Sequence, residues 1–156
     1  MICRDDGPVA EIGPIRDAKL LRNGSCEFGI LKLTKPATIS IVDDDIWARD
    51  GIRVLVESLG YEAFGFVSAE QFLESHVLDV TACLITDLQM PGLSGLDLQR
   101  ELGSRGYRIP IIFITAFPDD RRRERALGAG AIGFLTKPFD ERSLIDCLSA
   151  AVGSRA

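Results

Sequence analysis

The amino-acid sequence predicts an α/β fold: a five-stranded parallel sheet doubly wound by helices on both faces. Three observations carry this reading. Five short apolar runs, rich in β-branched residues, recur between residues 38 and 135. Segments with apolar residues at helical spacing separate them. Several of the runs end in Asp or Thr, and turn residues follow. Continuously apolar strands that alternate with amphipathic helices are covered on both faces, which is the pattern of a parallel sheet.

Each element has its own justification. TISIV (38–42) is a short buried-strand run, and Asp43, Asp44 and Asp45 end it. Ala48, Ile52, Leu55, Val56 and Leu59 then recur at helical spacing, and Gly60 closes that helix. YEAFGFV (61–67) alternates weakly as a second strand. Ser68 and Gln71 fit a capping box for SAEQFLES. TACLIT (81–86) is the third strand, ended by Asp87. Ser94 caps a helix that carries Leu96, Leu98 and Leu102. IPIIFIT (109–115) is a strong fourth strand ending in Thr115. DDRRRERALGAG (119–130) is a charged helix with glycine at its C-terminal end, and AIGFL (131–135) is the fifth strand. Asp140 opens a last helix with Leu144, Ile145, Leu148 and Val152 facing inward. Right-handed crossovers leave few topologies for five such units, and the flavodoxin-like (βα)5 strand order 2-1-3-4-5 is the expected one.

The chain has 156 residues, 46% hydrophobic and 26% charged, with a formal net charge of −5. One domain of ordinary globular composition is expected at that length. Residues 1–36 stand apart: Gly7-Pro8 and Gly13-Pro14 break any period, and only CEFGILKLT (26–34) has strand character. They read as a flexible N-terminal extension, and 37–156 as the folded domain. The extension holds six basic and five acidic residues, leaving twelve basic and eighteen acidic in the rest. An acidic folded part gives no electrostatic case for direct nucleic-acid binding. Cysteines stand at 3, 26, 83 and 147 without a CxxC pair, and His76 is the sole histidine, so a zinc site is not expected. Cys83 reads as a small core hydrophobe. The first twenty residues show no apolar h-region, and the longest apolar run, IPIIFITAF, is too short to span a bilayer. A cytoplasmic location, reduced thiols and no membrane partner are expected.

In such sheets ligands bind beyond the carboxyl ends of the strands, near the point where strand order reverses. Asp43, Asp44 and Asp45 follow strand 1, Asp87 follows strand 3, Thr115 ends strand 4, and Lys137-Pro138 follows strand 5. Each has a plain structural explanation alone: a helix cap, a turn residue, a β-former, a solvated lysine. Their convergence on one rim is what points to chemistry. Clustered carboxylates repel one another unless a cation binds, and Mg²⁺ takes one or two carboxylates plus a phosphate oxygen. Lys and Thr donate well to phosphoryl oxygens, and a carboxylate can itself accept a phosphoryl group. The set predicts phosphoryl transfer onto an aspartate.

ISIVDDD, LITDLQMPGLSGLDL, IIFITAF and AIGFLTKPF resemble, in order, the motifs of the receiver domain of two-component response regulators, over about residues 38–153. The resemblance implies that Asp87 is the phosphoacceptor. It implies that Asp43, Asp44, Asp87 and the backbone carbonyl of Gln89 hold Mg²⁺, and that Lys137 pairs with the phosphoryl group. Thr115 and Phe134 take the switch positions, with Phe where relatives often have Tyr, so a signal must pass through packing. The Lys137–Pro138 bond is expected to be cis. Ala116 leaves room for the phosphoryl group, and Gln89 and Phe117 flank the path of hydrolytic water. The implied donor is a sensor histidine kinase or a phosphotransfer protein. The domain is then a signalling module, with at most slow self-phosphorylation and autodephosphorylation.

Two other readings compete. A haloacid-dehalogenase-like phosphatase also uses Asp, Mg²⁺, Thr or Ser and Lys, but its DxDx[TV] motif needs Thr or Val where this chain has Trp47. A degenerate receiver acting only as a binding module would not need the complete set of site residues. Only GSRA follows Val152, too little for a helix-turn-helix, so DNA binding by that route is not expected; a stand-alone receiver and a fragment of a longer regulator both fit. RRRER (121–125) reads as a solvated helix face, or as part of a homodimer surface made by the fourth helix, fifth strand and fifth helix. His76 reads as a surface residue.

Overall fold

The computed structural model describes residues 35–153. The extension predicted for 1–36, with its strand-like stretch, lies outside the described residues except for Lys35 and Pro36. The elements run β1 (Thr38–Val42), α1 (Ile46–Ser58), β2 (Glu62–Phe66), α2 (Ala69–Leu73), a 3₁₀ turn (Leu78–Val80), β3 (Thr81–Asp87), α3 (Gly95–Ser104), β4 (Ile111–Thr115), α4 (Asp120–Gly128), β5 (Gly133–Thr136) and α5 (Glu141–Gly153). The five strands form one parallel sheet in the order β2-β1-β3-β4-β5, as predicted.

Alternation along the strands builds two cores. Ile39, Ile41, Cys83, Ile85, Ile112 and Ile114 face α1 and α5, meeting Ile52, Val56, Leu144, Leu148 and Ala151. Val42, Leu84, Ile111 and Phe113 face the other way, against Phe72 of α2, Leu98 and Leu102 of α3 and Ala126 of α4. Burying each large side chain stabilises the fold by about 1.5–3 kcal/mol before the cost of ordering the chain. Cys83 behaves as the sequence implied: it is fully buried, and burial pushes its thiol up to about 12.

Polar side chains fix the helix starts. Asp45 accepts from the Trp47 N–H, Ser68 from Gln71, and Asp119 from Arg121 and Arg122. The box predicted at Ser68 is half made, because the Gln71 side chain turns to the N–H of Val67 instead. A complete box forms at Ser94, whose partner is Asp97. Glu74 and Ser75 leave the helix predicted over SAEQFLES, and His76 follows them, exposed as expected. Strand 4 starts at Ile111 rather than 109, since Pro110 has no N–H to give a ladder. Ala126 is the only buried residue of α4. No helix among the described residues is long and apolar enough to cross a membrane.

Candidate functional site

The carboxyl ends of β1, β3, β4 and β5 form one rim. Asp43 is the residue after β1. Its N–H donates to the carbonyl of Phe66 beyond β2 (3.1 Å), and its side chain is only 2% exposed. Its Oδ1 accepts from the N–H of Asp45 (2.9 Å), and its Oδ2 accepts from Lys137 Nζ (3.0 Å). Asp87 is the last residue of β3. Its Oδ1 accepts from the N–H of Gln89 (3.2 Å), and its Oδ2 lies 3.4 Å from Lys137 Nζ. The side chains of Asp87 and Lys137 are 13% and 21% exposed, so water reaches the pair from one side.

The β3–α3 connection explains how Asp87 is presented. Leu88 turns into the core, its carbonyl accepting from Gly95 N–H, while Gln89 points out. Gly92 takes φ +79°, a left-handed conformation that glycine adopts without strain, and so ends the Met-Pro-Gly turn. Lys137 is placed by its own backbone: its N–H donates to the carbonyl of Thr115 (2.8 Å), tying the β5 tip to that of β4, and the bond to Pro138 is cis.

Asp43, Asp44 and Asp87 can each offer a carboxylate oxygen within 4.8 Å of the others. Three carboxylates face a single paired ammonium here. Burial pushes the Asp43 carboxyl above its ordinary value, opposed by the Asp45 N–H and by Lys137. Burial works against the charge on Lys137 as well, but Asp43 and then Asp87 outweigh it and hold the ammonium above its usual range. A rim with excess negative charge and only oxygen donors fits a hard divalent cation such as Mg²⁺.

Thr115 is fully buried at the end of β4. Its hydroxyl oxygen accepts from the N–H of Phe117 (3.1 Å), and Phe117 itself is 69% exposed. In the ladder, Asp87 is opposite Ile114, one residue before Thr115. Phe134 is half-buried and turns toward Phe113, ring centroids 6.2 Å apart, in the core between sheet and α3–α4. The structure thus brings Asp43, Asp44, Asp87 and Lys137 into one cluster and sets Gln89 against it. Thr115 joins through its backbone, and Phe134 lies to the side. One residue was missed by the sequence: Arg49 of α1, whose Nη1 donates to the Asp43 carbonyl (2.6 Å). Nothing in its spacing distinguishes it from an arginine on a solvated helix face.

Comparison with known proteins agrees with this geometry. The family model described as the response regulator receiver domain matches residues 39–149. Nodulation protein W of Bradyrhizobium diazoefficiens is 43% identical over 123 residues, which cover 79% of this chain and 54% of that protein. The structure of the response regulator StyR is 42% identical, with a TM-score of 0.69, covering 78% of this chain and 61% of that one. The crystal structure of FixJ-N is 35% identical, with a TM-score of 0.69, covering 77% of this chain and 96% of that one. The chain spans about half the length of the curated relatives it matches.

Proposed function

Because this chain belongs to the response regulator receiver domain family of two-component signalling, we propose that Asp87 is its phosphoacceptor, charged by a sensor histidine kinase or a phosphotransfer protein. A carboxylate oxygen of Asp87 forms the new P–O bond while the P–N bond of the donor phosphohistidine breaks, and the electron pair leaves with the imidazole nitrogen. The observation that carries this reading is the Lys137 ammonium, 3.0 Å from Asp43 Oδ2 and 3.4 Å from Asp87 Oδ2. It supports a role in neutralising charge on the transferring group without being consumed.

Asp43, Asp44, Asp87 and the Gln89 carbonyl are the residues that would hold Mg²⁺. When bound, the ion supplies positive charge to the phosphoryl oxygens. The chain's own residues do the rest. The Gln89 N–H orients the Asp87 carboxylate, Lys137 meets the developing negative charge, and the Thr115 hydroxyl turns to donate to a phosphoryl oxygen. The domain is a signalling module rather than a classical enzyme, and its output passes through Thr115 and Phe134 to the surface of α4, β5 and α5. A homodimer through that surface is the partner arrangement we assign to the phosphorylated form.

Incubation with a small-molecule phosphodonor, followed by intact mass, tests the assignment. One phosphoryl group is expected on the wild type in Mg²⁺, none after chelation, and none on Asp87→Asn. Stable phosphorylation of Asp87→Asn at another residue would overturn it. So would repeated turnover of the donor, which is the behaviour of a phosphatase. Sedimentation with and without beryllofluoride tests the dimer, and an unchanged mass removes it.

A further inference from the structure

We propose that Arg49 is a positioning residue for the metal site: it locks the backbone of Asp43 from outside the carboxylate cluster and uses Gly65 as its seat. The inference rests on the reading of Asp43 as a metal ligand.

Asp43 lies just past the end of β1, where its carbonyl has no strand to pair with. A buried carbonyl needs a donor. The guanidinium of Arg49 supplies one at 2.6 Å, reaching back across the start of α1. With the N–H of Asp43 bonded to Phe66, both backbone polar groups of the residue are fixed, one by β2 and one by α1. Only the side-chain torsions remain, and these are set by Asp45 and Lys137.

The choice of acceptor is informative. Three carboxylates lie close by, yet among the described residues Arg49 forms no ion pair with any of them. It bonds a neutral carbonyl and leaves the carboxylate oxygens to other partners. Lys137 neutralises charge; Arg49 fixes geometry.

Gly65 accounts for how Arg49 gets there. It interrupts β2, where a glycine weakens a strand and calls for a reason. Ala63 packs in the core on the α1 side, so by alternation position 65 faces that side too. A Cβ built on Gly65 would lie 3.1 Å from both Cγ and Cδ of Arg49 and 3.4 Å from its Nε. The arginine stem occupies the space a side chain would fill. The missing side chain and the long one form a single unit.

The test separates position from charge. Arg49→Met keeps an unbranched stem and removes the donors and the charge. Mg²⁺ affinity is read by the fluorescence of Trp47, the sole tryptophan, and by calorimetry. Losing an outer partner of a ligand weakens metal binding by about tenfold or more, and that weakening is expected here. Loss of a positive charge alone would tighten binding, so equal or tighter Mg²⁺ binding by Arg49→Met overturns the inference. Arg49→Lys is expected to recover part of the affinity. Gly65→Ala should weaken binding in the wild-type background and have no effect on Arg49→Ala, whose side chain is too short to be displaced. Additive losses would overturn the shared seat. Ile52→Val, which trims the α1 core, controls for stability. If it loses Mg²⁺ affinity as Arg49→Met does, the role is structural only and the proposal fails. A wild type that binds no Mg²⁺ instead removes the metal reading on which the inference stands.

Discussion

Replacing Lys137 by Met in Mg²⁺-free buffer should cost the fold about 2–3 kcal/mol at neutral pH. Met keeps the length of the stem and removes the ammonium. Asp43, 2% exposed, is then left with the Asp45 N–H and faces Asp87 without a cation between them. Breaking a fully buried pair costs about 3–5 kcal/mol, because the remaining charge is stranded. Lys137 is 21% exposed, so water can enter the space it leaves, and about 2–3 kcal/mol is the expected loss once that solvation is allowed for. A hydrogen bond to a charged group, about 1.5–3 kcal/mol, is of the same size. The pH dependence gives the sharper check. Burial already holds the Asp43 carboxyl above its ordinary 3.8, and Lys137 opposes that rise. Removing the lysine raises it further. A carboxyl with a raised value favours the fold fully only at pH below its unfolded value, and that contribution is lost as pH rises through the folded one. The deficit of the variant is therefore greatest at neutral pH and closes as pH falls through the raised Asp43 value. Mg²⁺ should also narrow it, since the variant has one more uncompensated charge for the ion to meet. Urea unfolding at neutral and mildly acid pH, with and without Mg²⁺, measures all of this. A variant as stable as wild type at neutral pH, or a gap that widens in acid, would refute the reasoning.

Three further outcomes are expected. Gly95→Ala places a Cβ 2.4 Å from the Asp87 carbonyl and 2.9 Å from Phe113 Cε1, so it should cost about 3 kcal/mol, the upper end for overpacking. Gly103→Ala, in the same helix with nothing within 4 Å, should instead stabilise by about 0.5–1 kcal/mol; the pair is read by thermal unfolding, and equal effects would refute the contact. The phenol of Tyr107 donates to Asp79 and is held above its ordinary value by that bond, then by burial and by the Asp79 charge. Its contribution to stability is complete below the ordinary value near 10 and is lost as pH rises through the raised one, so Asp79→Asn should lower the pH of phenolate formation seen by ultraviolet absorbance. Phe117, exposed beside the Thr115 loop, should slow loss of the phosphoryl group, so Phe117→Ala should shorten the phosphorylated lifetime; an unchanged rate of phosphate release would disprove it.

The parts that were legible in the sequence are those where one local rule decides. TISIV, bounded by Pro36 and three aspartates, gave β1 to the residue. The rim could be read because strand order follows from chain connectivity, and strand order decides which tips meet. The misreadings have a common cause: a nearby partner outbid the local rule. Gln71 prefers Val67 to Ser68, and Asp97 makes the box at Ser94 that the apolar spacing did not announce. Val152, expected inside, is partly buried and packs against that core, and Ala151 beside it is the fully buried residue at that end of α5. Arg49 and Gly65 could not have been paired from the sequence, since fifteen residues separate them and only the packing of α1 on β2 brings them together. Contacts of that kind depend on how α1 lies across β2.

The site and the surface proposed to read it are joined by the least anchored helix. A threonine hydroxyl has one hydrogen to donate and two lone pairs. Thr115 uses a lone pair for Phe117 and has no acceptor for its hydrogen among the described hydrogen bonds. It can therefore donate to a phosphoryl oxygen without giving up Phe117, and any inward movement of Thr115 takes the Phe117 backbone with it. That backbone leads within three residues into α4, which buries only Ala126 and is held from α3 by the Gln99 side chain on the Ala126 carbonyl (3.1 Å). A helix with one buried side chain has little packing to lose when it shifts, so it belongs to the low-stability end of the fold, where moving elements are found. Phe134 lies against Phe113 beside the same helix. Without a hydroxyl it has no polar bond to exchange, so its position follows the packing around it, and in the proposed function a change at Asp87 would be passed on as a change in how α4 sits.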